Sequence, residues 1–193
     1  MSGTVTDGRR LKGERRRREL IEATLRVVAR DGVAGVSHRT VSREAGLSPT
    51  AAAYHFQSID DLLTAALTRC MDQSVDVLRQ FTAATDSGAD SLSSLATVLA
   101  GLFGEPARLL AEYELFLLAA RQPELRPPTH RWLDALEEFA RRHTSDPVRV
   151  QLLVATVDGM LLQGLLREQP PSAGQFEAVL RALLDGPRPG GEA

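Results

Sequence analysis

Apolar residues recur along this chain of 193 residues at intervals of three and four, the spacing that lines one face of a helix, without the sustained alternation of a half-buried strand. The pattern predicts an all-α fold of about nine helices. Leu20, Ala23, Leu25, Val27 and Val28 supply the buried side of a helix over about 15–30, and two short helices fit between Ser37 and Phe56. Leu62, Leu63, Ala66, Leu67, Cys70, Val75, Leu78 and Phe81 form one stripe, which predicts a long helix from near Ser58 to about Ala84, followed by a loop over 85–90. Further helices are expected over about 92–103, 107–121, from just after Pro127-Pro128 to 143, 147–167 and 173–184. Breaks rich in proline divide them, because proline removes a donor and ends the preceding turn. The helix over 147–167 is apolar almost all round, which predicts burial on more than one side.

The run from Ser37 to Phe56, SHRTVSREAGLSPTAAAYHF, says most about function. Ser37 can cap a short helix by accepting an orphan backbone N–H. That helix carries Val41 and Ala45 on one side and Arg39 and Arg43 on the other. Gly46 stands where a tight left-handed turn needs a residue without Cβ, and Leu47 can bury in the corner. Ser48 then reads as an N-cap and Pro49 as the first residue of a second helix, where its missing N–H costs nothing. A helix entered through a short glycine turn is the helix-turn-helix arrangement, which presents the second helix N-terminus to base edges in the major groove. An ordinary helical hairpin shares this local pattern. The flanks favour the DNA-binding reading: Tyr54-His55-Phe56-Gln57-Ser58 leads into Asp60-Asp61-Leu62-Leu63, and an amphipathic helix ending in Asp31-Gly32 precedes the motif.

From about Arg15 to Leu63 the chain resembles the DNA-binding domain of the TetR family of transcriptional regulators, several motifs standing at the right mutual spacing. The resemblance implies that Arg39 reaches a guanine, whose O6 and N7 accept a guanidinium bidentately. It places Ser48, Pro49, Thr50 and Ala51 at the start of the recognition helix, with Ala51 able to meet a thymine methyl. It makes Tyr54 and His55 donors to phosphate, with Ser37 and His38 as further DNA-contacting positions. Two residues depart from the family pattern: Ala53 stands where an aromatic is usual, and Ile59 where a phosphate-contacting lysine is usual.

Charge sharpens the picture. The net charge of −2 argues against nucleic acid until its distribution is seen. Residues 1–60 carry 11 Arg or Lys against 7 Asp or Glu, and residues 61–193 carry 12 against 18. A basic head on an acidic body suits a DNA reader with a second function. Arg9, Arg10, Lys12 and Arg15 to Arg18 form a cluster, expected as a flexible basic arm over 1–14 that either follows DNA or is merely solvated. No apolar run reaches the ~18–20 residues of a membrane span, and the polar, basic start is no secretory signal. The single Cys70 excludes an intrachain disulfide, no Cys/His cluster has zinc-ligand spacing, and the expected location is cytoplasmic. No metal, cofactor or catalytic residue is expected: His130 and His143 have no nucleophile at a recognisable spacing, and no phosphate-binding glycine loop is present.

The expected organisation is an arm over 1–14, a helix-turn-helix domain over 15–60, a ligand-binding and dimerisation domain over 61–186 and a flexible tail over 187–193. In layout the body also resembles the corresponding TetR domain, notably in AEYELFLLAARQPEL and VDGMLLQGLL. A mostly apolar pocket is expected among Phe103, Tyr113, Phe116, Leu117, Trp132 and Met160, with Asp158 or Gln163 orienting a small molecule. Asp158 could equally be a structural ion pair. Gly159 and Gly164 are read as points of close helix packing. Phe176, Val179, Leu180, Leu183 and Leu184 form an amphipathic stripe expected to build a four-helix homodimer interface. The sequence thus points to a dimeric regulator bound to double-stranded DNA, a repressor released by a small-molecule effector. A DNA-binding protein without an inducer, or an all-α enzyme using Glu112 or Asp158 as a base, are the alternatives.

Overall fold

A computed structural model describes the backbone of residues 3–83 and 89–184 and the side chains of 10–80 and 91–184. The described residues form nine α-helices and three short 3₁₀ turns, with no strand. In order these are α1 (Gly3–Asp31), α2 (His38–Glu44), α3 (Ala51–His55), α4 (Ile59–Ala83), α5 (Ala89–Gly101), α6 (Pro106–Arg121), α7 (Arg126–Arg141), α8 (Pro147–Gly164) and α9 (Ala173–Leu184). The 3₁₀ turns lie at Val33–Gly35, Leu102–Gly104 and Pro123–Leu125.

Local chemistry sets most helix starts. Ser37 caps α2 in a reciprocal box with Thr40, whose backbone N–H donates to the Ser37 hydroxyl at 3.0 Å while the Thr40 hydroxyl accepts from Ser37 N at 2.9 Å. Ser58 and Asp61 do the same before α4, at 3.0 and 3.1 Å. Asp146 caps α8 by accepting from Val148 N at 2.9 Å, with Pro147 at the first helical position.

Several boundaries differ from the sequence expectation. Residues 3–14, expected as an arm, are helical here, because extending an existing helix costs far less than nucleating one. Helix α3 begins at Ala51, with Thr50 as its N-cap; Ser48 contributes its carbonyl to Ala51 N at 2.9 Å in a preceding turn rather than a hydroxyl cap. Helix α7 begins before Pro127-Pro128, since a first turn needs no N–H from them. Helix α8 stops at Gly164, three residues early. The last two residues of the loop expected over 85–90 belong to α5, which begins at Ala89; residues 85–88, the side chain of Phe81 and the tail over 187–193 lie outside the described residues.

The chain divides into two compact units, and the division falls inside α4, between Cys70 and Met71. The first unit holds residues 1–70 and 107–126. Its core is built from Leu20, Ala23, Val27 and Val28 of α1, Val41 of α2, Ala52 and Phe56, Leu62 and Leu67 of α4, and Leu115 of α6. The second unit holds residues 71–106 and 127–193, with Leu95, Leu99, Leu136, Leu153, Phe176 and Leu180 wholly or almost wholly buried. There α9 packs along α5, and Phe103 stacks on Phe176 with ring centroids 6.4 Å apart. Gly164 is required by that packing, because a Cβ there would stand 2.3 Å from Phe103 Cζ, whereas a Cβ on Gly159 would meet nothing within 4 Å. The close-packing expectation therefore fits Gly164 and not Gly159.

Candidate nucleic-acid interface

The turn between α2 and α3 is fixed from within. Gly46 takes φ 66°, a left-handed conformation that L side chains adopt only with strain. Leu47 N donates to Ser42 O at 2.9 Å, and the fully buried Ser42 hydroxyl accepts from Ala52 N at 3.0 Å. Phe56 anchors the far end of α3 in the core. Behind the motif, Glu44 at the end of α2 accepts from Arg26 Nε and Arg30 Nη1 of α1, each at 2.8 Å. These two arginines hold the Glu44 carboxyl below the usual carboxylate range, Arg30 contributing most.

Such packing leaves one face outward. Arg39, Ser48, Pro49 and Thr50 are exposed, Ala51 is half-buried, and Tyr54 is 86% exposed. The Tyr54 and His55 rings meet edge to face at 5.1 Å. Helix α1 adds to the same face: Arg17 sits over the Phe56 ring, its Cζ 4.8 Å from the centroid, and the exposed Arg16 lies close enough to act on His55. Burial first, then the charges of Arg16 and Arg17, push the His55 imidazole below its ordinary value. The field that disfavours an imidazolium here favours an anion, which is what a phosphate supplies.

Two expected DNA-contacting positions sit differently. The Ser37 hydroxyl is engaged in the capping box. The His38 side chain is half-buried with Nε2 enclosed and without a hydrogen-bond partner among the described residues, so that atom does not face outward to a phosphate. Of the two departures from the family pattern, Ala53 is exposed and Ile59 half-buried at the first residue of α4.

The eight residues expected to line a pocket are distributed over both units. Tyr113, Phe116 and Leu117 belong to the first unit, where the Tyr113 and Phe116 rings lie 6.4 Å apart and Leu117 is largely exposed. Phe103, Trp132, Asp158, Met160 and Gln163 belong to the second. Trp132 is buried in that unit's core. Met160 and Gln163 line a mostly apolar groove of about 410 Å³ between α8 and α9, with Thr156 and Val179 among the other walls. Glu112 and Glu114 serve the fold: Glu112 pairs with Arg108 at 3.3 Å, and Glu114 Oε2 accepts from Val33 N at 3.1 Å. Burial, then the nearby Glu112, raises the Cys70 thiol far above its ordinary value and keeps it protonated.

The dimer stripe also needs correction. Phe176, Leu180 and Leu184 are buried inside their own unit, because α9 turns that face onto α5, and only Val179 and Leu183 of the five stay half-exposed. The outward apolar face lies on α8. Val148, Leu152, Ala155 and Leu162 are exposed at helical spacing, with the half-buried Gly159 between Ala155 and Leu162, and Leu166 is exposed in the turn just past the helix. Sequence reasoning saw that α8 was apolar all round but did not separate its two stripes.

Among the described residues no group of His, Cys, Asp and Glu could hold a metal ion, and no helix is long and apolar enough to cross a membrane. An all-α chain that presents a helix-turn-helix with an arginine-flanked outer face is a DNA-binding regulatory protein. Residues 20–66 match the profile of the bacterial regulatory proteins of the tetR family, and residues 86–186 match the tetracyclin repressor-like C-terminal domain. The chain therefore belongs to the TetR family and is a DNA-binding transcriptional regulator rather than an enzyme.

Solved structures agree. The multidrug binding protein EbrR, in complex with imidazole, superposes with a TM-score of 0.73 at 38% identity, over 90% of this chain and 97% of that one. A TetR-family member from Streptomyces coelicolor A3 superposes with a TM-score of 0.78 at 38% identity, over 88% and 98%. The nicotine-responsive transcriptional repressor HdnoR of Paenarthrobacter nicotinovorans is 33% identical over 56% of this chain and 56% of its own length.

Proposed function

We propose that this protein is a homodimeric transcriptional repressor that leaves its operator when a small, ring-bearing, mostly apolar molecule binds. The observation that carries the DNA-binding part is the outward face of the helix-turn-helix, with Tyr54 86% exposed and Arg39 and Thr50 free of the core. On this reading Arg39 reads a guanine in each half-site. Thr50 and Ala51 approach base edges at the start of α3. Tyr54 and His55, with Arg16 and Arg17 beside them, hold the backbone. The protein works where the chromosome is, in the bacterial cytoplasm.

The dimer follows from physics and from the surface. One small head grips DNA weakly, and two heads held about a helical turn apart read a two-fold site. The exposed Val148, Leu152, Ala155 and Leu162, with the half-buried Gly159 among them, repeat at the spacing of a helix seam, and a second copy is its occupant. The groove between α8 and α9 is lined by Thr156, Met160 and Gln163, each the next residue along the chain from Ala155, Gly159 and Leu162 of the stripe, and on this reading the interface is built from α8 and α9 of both copies.

The effector class rests on likeness to one protein that binds ring-bearing nitrogen compounds and to another that responds to one. EbrR is seen with malachite green as well as imidazole, and HdnoR is nicotine-responsive. The half-buried Tyr113 and Phe116 of α6 are the side chains we assign to such a ring. Malachite green titrated into the protein bound to a selected operator should displace it over the same concentration range in which the dye's absorbance reports binding. Tyr113→Ala should blunt the displacement and leave operator affinity within about twofold, a shift of ~0.4 kcal/mol. Dye or nicotine that saturates the protein without releasing DNA, or neither compound binding at all, would sink this effector class.

A further inference from the structure

The corner between α1 and α2 sets the angle at which the helix-turn-helix leaves the long first helix. It turns at Gly32, with φ 71°, into the 3₁₀ turn Val33–Gly35. Most of its hydrogen bonds are local: Gly32 N donates to Val28 O at 2.8 Å, Val36 N to Val33 O at 3.1 Å, and the Thr40 hydroxyl to Gly35 O at 2.9 Å. No side chain nearby in sequence caps the turn. The first orphan donor, Val33 N, is instead met by Glu114 Oε2 at 3.1 Å, from α6 and 81 residues further along the chain. The approach is close, since a Cβ on Gly32 would lie 3.4 Å from that same oxygen. A charged acceptor on a backbone N–H is among the stronger kinds of hydrogen bond.

We propose that Glu114 is a positioning residue for DNA binding: a remote cap that fixes the α1–α2 corner, and with it the recognition helix, to α6. The role rests on the regulator reading above. Glu114 touches no DNA. It acts through the Val33 amide, and it makes operator affinity depend on where α6 sits. Arg108, also on α6, supports the same link, its Nη1 standing 3.7 Å from Glu22 Oε2 of α1.

The test uses the full chain and an operator obtained by unbiased selection. In Glu114→Ala the Val33 amide should exchange with solvent faster and operator affinity should fall about tenfold, the scale of one charge-assisted hydrogen bond. In Glu114→Gln both should stay near wild type, because the amide oxygen still accepts from Val33 N. A global loss of fold would speed exchange across the core amides of α1 as well, and that pattern would make Glu114 structural and overturn the assignment. Unchanged Val33 exchange in the alanine variant would mean that the cap is not formed. Faster exchange with unaltered operator affinity would mean that the cap does not position the head. A wild-type chain that selects no DNA would overturn the regulator reading, and the positioning role with it, even if Val33 exchange responded as expected.

Discussion

At the scale of single residues, the proposed reading of DNA bases rests first on Arg39. It stands in the first turn of α2, a helix whose inner face is fixed by Val41 and whose start is fixed by Ser37, so its guanidinium has nowhere to go but outward. Arg39→Ala should cost ~1–3 kcal/mol on the preferred site and relax preference at one base pair per half-site. A DNA array on which the variant keeps the wild-type profile would contradict the contact. Glu44 makes a different prediction. Arg30 and Arg26 depress its folded-state pKa, so the unfolded chain binds the proton more readily. The pair's contribution to stability is therefore present above the ordinary carboxylate range, near pH 4, and is lost as pH falls through the folded value. Thermal melts should find Glu44→Gln less stable than wild type at pH 7, the gap closing as pH drops below about 4. A gap that is constant with pH would mean that the ion pairs contribute nothing. Residues whose roles are local, such as Ser37 and Gly46, were legible in the sequence because capping and a left-handed turn depend on near neighbours. Glu114 and His38 were not. The partner of one lies 81 residues away, and the enclosure of the other's Nε2 depends on packing that no local pattern encodes.

At the level of the helices, periodicity revealed the stripes but not what covers them. The α9 stripe has the periodicity of an interface, yet α9 packs on α5 and Phe176 and Leu180 are buried. The almost continuous apolar character of α8 is two stripes back to back: Val150, Leu153, Val157 and Leu161 inward, and Val148, Leu152, Ala155 and Leu162 outward. Nothing along a single helix says which stripe meets its own chain and which meets another. The two stripes predict opposite failures. Leu152→Glu together with Leu162→Glu, at positions 40% and 46% exposed, should give a folded monomer in sedimentation with near wild-type helicity. Leu180→Glu, at a position 1% exposed, should unfold or aggregate the protein, because a buried unpaired charge is strongly destabilising. A folded, dimeric outcome for the double variant would place the interface elsewhere. Helix starts were less legible than helix cores: proline in a first turn is compatible with either side of a boundary, which is why α7 begins earlier than expected and α3 later.

For the molecule as a whole, the division of labour is written in the charges, basic before residue 60 and acidic after it. The compact units cut across that line, since α6 joins the N-terminal helices. That arrangement was hidden from sequence reasoning because it depends on which helices touch, not on composition. It gives α6 both Tyr113 and Phe116, assigned here to the effector, and Glu114, assigned to the head, within a single turn or so of helix. A dimer reading DNA with two such heads should reveal itself when the purified chain selects binding sites from a random DNA pool. The expected result is an enriched inverted repeat, its half-site centres about one helical turn (~34–36 Å) or a whole multiple apart, with a guanine in each half whose preference weakens in Arg39→Ala. An unenriched pool, or a single half-site without a symmetric mate, would contradict it.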